Sequence, residues 1–191
     1  NEDFVSLKVN KLVEIDVDGS SRLYFSTFEN GAARTAPGKP VGQILIAKPN
    51  GWKYKAFPEI NKLSIKELIS SLDKGSNVLR QNAQHELIKR QDKNLEKLLL
   101  TEAQDKSAAI EARIAALYAI NLRNNEGAVD TLKLLAQDET IREYALRALI
   151  DRRDNSELSL ESMIKDGLSD KNPRVQMIAA FGARLLNLNE L

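Results

Sequence analysis

The sequence predicts a mainly α chain: an α-α superhelix of four helical hairpins, preceded by a small antiparallel β-meander. Three observations carry that prediction. Apolar residues alternate with period two up to about Lys62, and from Ser64 onward they recur with the spacing of one helix face. Small residues return at Ala83, Ala115, Ala145 and Ala179, at intervals of 32, 30 and 34 residues. Each of these alanines falls in the second of two consecutive helical segments, and two helices per roughly 30–35 residues is the mark of a stacked helical array.

The meander comes first, over residues 1–60. Val5, Leu7 and Val9 alternate, as do Val13, Ile15 and Val17. Asp18-Gly19-Ser20-Ser21 then supplies turn chemistry before the β-prone run Leu23-Tyr24-Phe25. Phe28 to Val41 holds Gly31, Pro37, Gly38 and Pro40 and reads as a long loop. Gly42 to Ala47 reads as a further short strand, closed by Pro49-Asn50-Gly51. Three or four strands are too few to bury both faces of a sheet alone. The meander is therefore expected to pack on the helices or to belong to a larger sheet.

The helical solenoid is expected over residues 61–191. Ser64 and Glu67 have the spacing of a capping box, in which each side chain satisfies the other's free N–H. Eight segments follow, near 64–73, 77–91, 94–103, 108–123, 126–137, 140–152, 157–169 and 173–187. First helices carry Leu68/Leu72, Leu95/Leu98/Leu99, Leu132/Leu135 and Ile164/Leu168. Closely crossing helices need a small side chain at the contact and larger ones beside it, which gives the recurring alanine its reason.

Composition narrows the function. The 28 basic and 27 acidic residues leave a net charge of +1, without the clustered positive charge that displaces counterions from nucleic acid or holds an anionic bilayer. No apolar run approaches the roughly 18 residues of a membrane span, so no direct membrane insertion is expected. Cysteine is absent, which excludes thiolate metal sites and a Cys-x-x-Cys-His haem attachment within these residues. No cofactor is expected in this chain. The start at Asn1 reads as a cut or processed end of something longer.

Four features invite a site. His85 is the sole histidine and has no cysteine or second histidine to build a zinc site, so a structural or surface role is expected. Asp16-x-Asp18-Gly19 has a calcium-loop flavour, yet glycine and glutamate do not fall at the sixth and twelfth positions, and a hairpin turn is the simpler reading. Trp52, Tyr54 and Phe57 could line a pocket, but cementing the meander to the solenoid is favoured. Arg80, Arg142 and Arg174 open second helices, with Arg113 the basic residue of the second repeat; Asp73, Asp138 and Asp170 precede the other three. They form either a basic stripe for an acidic partner or a structural Asp–Arg ladder. The ladder is favoured, because each has its own acid and the helical half is balanced in charge.

The helical half resembles the HEAT-repeat family. The carrying residues are Leu168-Ser169-Asp170-Lys171-Asn172-Pro173-Arg174-Val175, Leu135-Ala136-Gln137-Asp138-Glu139-Thr140-Ile141-Arg142, and Leu72-Asp73 with Val78-Leu79-Arg80. The whole chain resembles bacterial exported, membrane-bound dehydrogenase or haem-binding proteins, which join a sorbosone/glucose-dehydrogenase-like β-propeller to a HEAT segment. Asp18-Gly19-Ser20-Ser21-Arg22-Leu23-Tyr24-Phe25-Ser26 and Gly42-Gln43-Ile44-Leu45-Ile46 carry that likeness. It implies a last propeller blade in residues 1–60, a periplasmic or extracytoplasmic location, and catalytic and haem domains outside this chain. No catalytic residue transfers with it. The expected function is a non-catalytic scaffold or protein-interaction segment; the alternative is a spacer within a multidomain sugar-dehydrogenase-like oxidoreductase. Neighbouring domains or a protein partner are implied either way. Ile178, Phe181, Leu185 and Leu186 leave the last helix apolar, so further repeats or another chain are expected against it.

Overall fold

The computed structural model describes residues 11–20, 22–28, 42–48, 50–73, 76–123, 127–152 and 160–188. The chain is mainly α with a small antiparallel sheet ahead of the helices. It divides into two compact units, residues 1–58 with 76–78, and residues 59–75 with 79–191.

In the first unit β1 (Lys11–Val17), β2 (Leu23–Phe28) and β3 (Gly42–Ala47) pair antiparallel in that order. Ile15 lies opposite Phe25, which lies opposite Leu45, and an irregularity interrupts the register between Leu12 and Glu14. The period-two pattern thus places Phe25 and Thr27 on a buried face. Both faces still carry exposed apolar side chains, Ile15 on one and Ile44 and Ile46 on the other. The expected strand around Val5–Val9 and most of the loop from Phe28 to Val41 lie outside the described residues.

Asp18 makes the β1–β2 turn. Its carboxylate accepts hydrogen bonds from the backbone N–H groups of Ser20 (2.9 Å) and Arg22 (3.0 Å), so the short acidic side chain closes the turn locally.

After the strands the described residues form a 3₁₀ turn (Ile60–Lys62) and eight helices: α1 (Ile65–Asp73), α2 (Asn77–Lys89), α3 (Leu95–Gln104), α4 (Ile110–Arg123), α5 (Ala128–Leu135), α6 (Arg142–Asp151), α7 (Glu161–Leu168) and α8 (Pro173–Leu185); all but the first two residues of α2 belong to the second unit. The capping box at Ser64 is formed, with Glu67 accepting from the Ser64 N–H at 2.8 Å and its own N–H reaching Ser64 Oγ at 3.3 Å. Pro173 opens α8, where its missing N–H costs nothing, and Asn172 caps that end through the Arg174 N–H. The helix closes on Asn187 in the left-handed region, with the Leu188 N–H returning to the Ala183 carbonyl.

Helices α3 and α4, α5 and α6, and α7 and α8 pack as pairs, while the second helices run α4 against α6 and α6 against α8. Among the described residues a continuous apolar core includes Leu68, Leu72, Leu87, Leu99, Leu132 and Ile164. The small-residue crossings are tight: a methyl added at Gly167 of α7 would lie 2.8 Å from the Ala179 methyl of α8.

One position differs from the sequence expectation. The equivalent residue of the second hairpin is Ala116, which is fully buried, and not Ala115, which is 7% exposed. The register follows from arginine contacts. Arg80, Arg113 and Arg142 each direct Nε to a carbonyl closing their own first helix, at Leu72, Ala103 and Ala136. Three residues beyond these arginines lie Ala83, Ala116 and Ala145, and three beyond Gln176, which bonds the Asp170 carbonyl, lies Ala179. The second hairpin has two adjacent alanines, and the crossing falls on the later one.

Candidate functional site

Two arginines ten residues apart bracket each of the first three second helices: Arg80 and Arg90, Arg113 and Arg123, Arg142 and Arg152. In the second and third pairs the nearer arginine reaches forward. Arg113 donates to Asp138 Oδ2 at 2.7 Å and to the Thr140 hydroxyl at 2.8 Å in the next hairpin's turn, and Arg142 donates to Asp170 likewise. The aspartate is shaped for this by its own turn. Asp138 Oδ1 takes the Thr140 N–H and hydroxyl, and Asp170 Oδ1 takes the Asn172 N–H, which leaves Oδ2 for the guanidinium.

The farther arginine reaches back. Arg123 Nη1 donates to the carbonyls of Leu87, Ile88 and Arg90, and its Nε to Glu96 at 2.6 Å. Arg152 donates to the carbonyl and side chain of Asn121, and Arg90 to the carbonyls of Asn61 and Leu63. Helix C-termini leave carbonyls without intrahelical partners, and a fixed cation at that end also meets the negative pole of the helix dipole. Helices α4 and α6 are therefore each tied to the hairpins on both sides.

The four arginines expected from sequence divide. Arg80, Arg113 and Arg142 hold equivalent places, but the acid that Arg113 and Arg142 engage lies in the following hairpin and not just upstream. Asp73 instead accepts the Ala109 N–H at the start of α4. Arg174 holds a different place: it grips the buried Glu143 of α6 with two bonds, at 2.7 and 3.0 Å. Its hairpin carries Gln176 and Leu186 at the two ladder positions. The backward ladder of Arg90, Arg123 and Arg152 escaped the sequence reading, although its constant ten-residue offset was a usable signal.

Electrostatics follows from these contacts. Burial opposes ionisation of Asp138, but hydrogen bonds from the Thr140 N–H and hydroxyl and from Arg113 outweigh it and hold the carboxyl at about 2. The Asn172 N–H and Arg142 lower Asp170 against the effect of burial. Glu102 moves the other way, pushed up by burial and by the charges of Asp73 and Asp105.

A groove of about 460 Å³ opens between α5 and α7. Leu146, Val175, Ala136 and Met163 line it, with Lys133 and Asp166 also at its wall. Its chemistry suits an apolar side chain flanked by polar atoms.

The remaining candidates take no part in the ladders. His85 is exposed on α2. Asp18 also accepts Arg22 Nε at 2.6 Å and the Tyr24 hydroxyl at 3.2 Å, which commits it to the turn. Within the β unit the Arg22 guanidinium lies 5.5–5.7 Å from the ring centres of Tyr24, Trp52 and Tyr54, a cation–π cluster. Trp52 Nε1 donates to the Ser20 carbonyl, and Phe57 covers Gly19 so closely that any Cβ there would collide with the ring. Among the described residues no group of three or more His, Asp or Glu side chains is placed to hold a metal ion, and no helix is long and apolar enough to cross a membrane. No family model, curated protein or solved structure matches this chain.

Proposed function

We propose that this chain is a non-catalytic, HEAT-like scaffold or protein-interaction segment of a larger exported bacterial protein. The two arginine ladders support the reading best. They spend the strongest polar groups of the helical unit on fixing one hairpin against the next, which stiffens a surface for recognition by shape. The α5–α7 groove is the natural place on that surface for a partner's apolar side chain. A photoreactive residue at Gln137, on the groove rim, should give a discrete adduct with a second protein in the native host, and Lys133→Glu should abolish it. Failure of every exposed position tried along the helical unit to give an adduct would refute the scaffold reading.

A second reading makes the chain a spacer in a sugar-dehydrogenase-like or haem-binding oxidoreductase whose catalytic and haem domains lie outside it. The exposed apolar residues on both faces of the three-stranded sheet favour it, because a sheet continued by neighbouring blades would cover them. The intact coding sequence tests this directly: it should encode further blades upstream and a Cys-x-x-Cys-His downstream. Without these the spacer reading fails.

A further inference from the structure

We infer that the outward stripe of α8 is a docking site for a protein helix with an apolar seam and acidic flanks. The inference rests on the scaffold reading and names the class of partner. In each hairpin the second helix has a forward stripe at one, four, five and eight residues beyond the nearer ladder position. On α4 these residues are Ile114, Leu117, Tyr118 and Asn121, and α6 packs against that helix. On α6 they are Glu143, Leu146, Arg147 and Ile150, and α8 packs there: Glu143 holds Arg174, and Ile150 fills the space beside Gly182. The molecule's own interfaces therefore show what covers this stripe, which is a helix.

On α8 the same positions are Met177, Ala180, Phe181 and Arg184, and Met177 and Phe181 are 56% and 54% exposed. Ala180, Phe181 and Arg184 lie three, four and seven residues beyond Met177, which puts all four on one face, and Ala180 allows a close helix approach. Two features set the chemistry of the occupant. The forward arginine is replaced by Gln176, which turns back to the Asp170 carbonyl at 2.6 Å, so α8 does not offer the guanidinium that Asp138 and Asp170 receive. The occupant is thus not another hairpin of the same polar code. In addition α8 carries no acidic residue; Arg184 stands at the far end of the apolar seam, and Arg174, paired with Glu143 but with its side chain still 63% exposed, at its start. Acidic flanks on the incoming helix complement that rim and keep basic amphipathic helices off it.

The test uses the full chain and a labelled, stapled synthetic helix of about 16 residues, with Leu along one seam and Glu on both sides, read by fluorescence anisotropy. Saturable binding is expected. Met177→Ser and Phe181→Ser should each weaken it by about tenfold, as loss of a central apolar anchor does. Arg184→Glu in the protein, or Lys in place of Glu in the peptide, should weaken it by about fivefold, and more at low salt than at high. All three side chains are solvent-exposed, and an unchanged thermal transition confirms that each variant folds. The inference is overturned if the peptide does not bind, if Phe181→Ser binds it equally, or if the Lys-flanked peptide binds as tightly. A dimer in light scattering that Phe181→Ser converts to monomer would also overturn it, by making a second copy the occupant. A null result here with the Gln137 adduct intact would remove this site alone and leave the scaffold reading standing.

Discussion

Asp138 uses its two carboxylate oxygens for different ends, one folding the turn that contains it and one receiving Arg113 from the hairpin before. The Arg113 side chain is only 4% exposed and Asp138 only 17%, so the pair is far from a solvated surface bridge. Removing the charge of one partner leaves the other buried without compensation, and Asp138→Asn should lower stability by about 3 kcal/mol in urea denaturation at pH 7. The same carboxyl makes stability depend on acid. Its folded value of about 2 lies below the ordinary 3.8, so its contribution is complete above about pH 4 and shrinks as pH falls toward 2. That loss should amount to about 2 kcal/mol in the native protein and be missing in Asp138→Asn. Glu102 has the opposite sign. Its value is raised, so its ionised form is disfavoured in the folded state and the penalty grows as pH rises through its titration. Glu102→Gln should therefore melt higher than the native protein at pH 7, with the difference closing in acid.

At the scale of elements, the small-residue crossing makes a sharp distinction between two adjacent alanines. Ala116 occupies the place held by Ala83, Ala145 and Ala179, whereas Ala115 sits one residue off it and offers its carbonyl to Gln84. Ala116→Leu should overpack the crossing and cost about 1–3 kcal/mol, with Ala115→Leu costing less; paired thermal melts decide it. Equal costs would mean that the register taken from the arginines is mistaken. The helices themselves were legible because their apolar spacing and caps are local: Ser64 with Glu67, and Pro173 at its helix start, needed no tertiary knowledge. The alanine register was legible in the first, third and fourth hairpins and slipped in the second, where Ile110 looks like the opening Val78, Ile141 and Val175 but stands six residues before its alanine, against five for Val78 and four for the other two. What sequence did not show was where each guanidinium goes. Asp138 stands four residues before Arg142 in the chain, so a local pair is the obvious guess, yet the turn geometry aims its free oxygen at Arg113. Arg123 and Arg152 look like ordinary solvated charges at helix ends until a neighbouring helix brings its last carbonyls to them.

For the helical unit as a whole, the two ladders act on cooperativity as much as on stability. A stacked array is a chain of modules whose joint unfolding depends on the interfaces between neighbours. The interface between α2 and α4 is bound by Arg123, which serves three carbonyls at the end of α2 and Glu96 at once, with a side chain only 4% exposed. Arg123→Met keeps much of the stem's packing while deleting all four polar contacts, and it leaves the Ile88 and Arg90 carbonyls without their guanidinium donor and Leu87 with only the Arg90 N–H. The expected consequence is not a uniform loss. Amide exchange should rise first in α1 and α2, while α6 and α8, still joined through Arg174 and Glu143, keep their protection. Denaturation should broaden or split into two transitions, with the calorimetric enthalpy exceeding the van't Hoff value. Gln176 and Leu186 in the last hairpin provide the contrast. Gln176→Met removes one bond within its own turn, so it should lower the midpoint slightly and leave a single sharp transition. If Arg123→Met also unfolds in one step with protection lost evenly along the helices, the backward arginines stabilise their own helix ends and do not couple the hairpins.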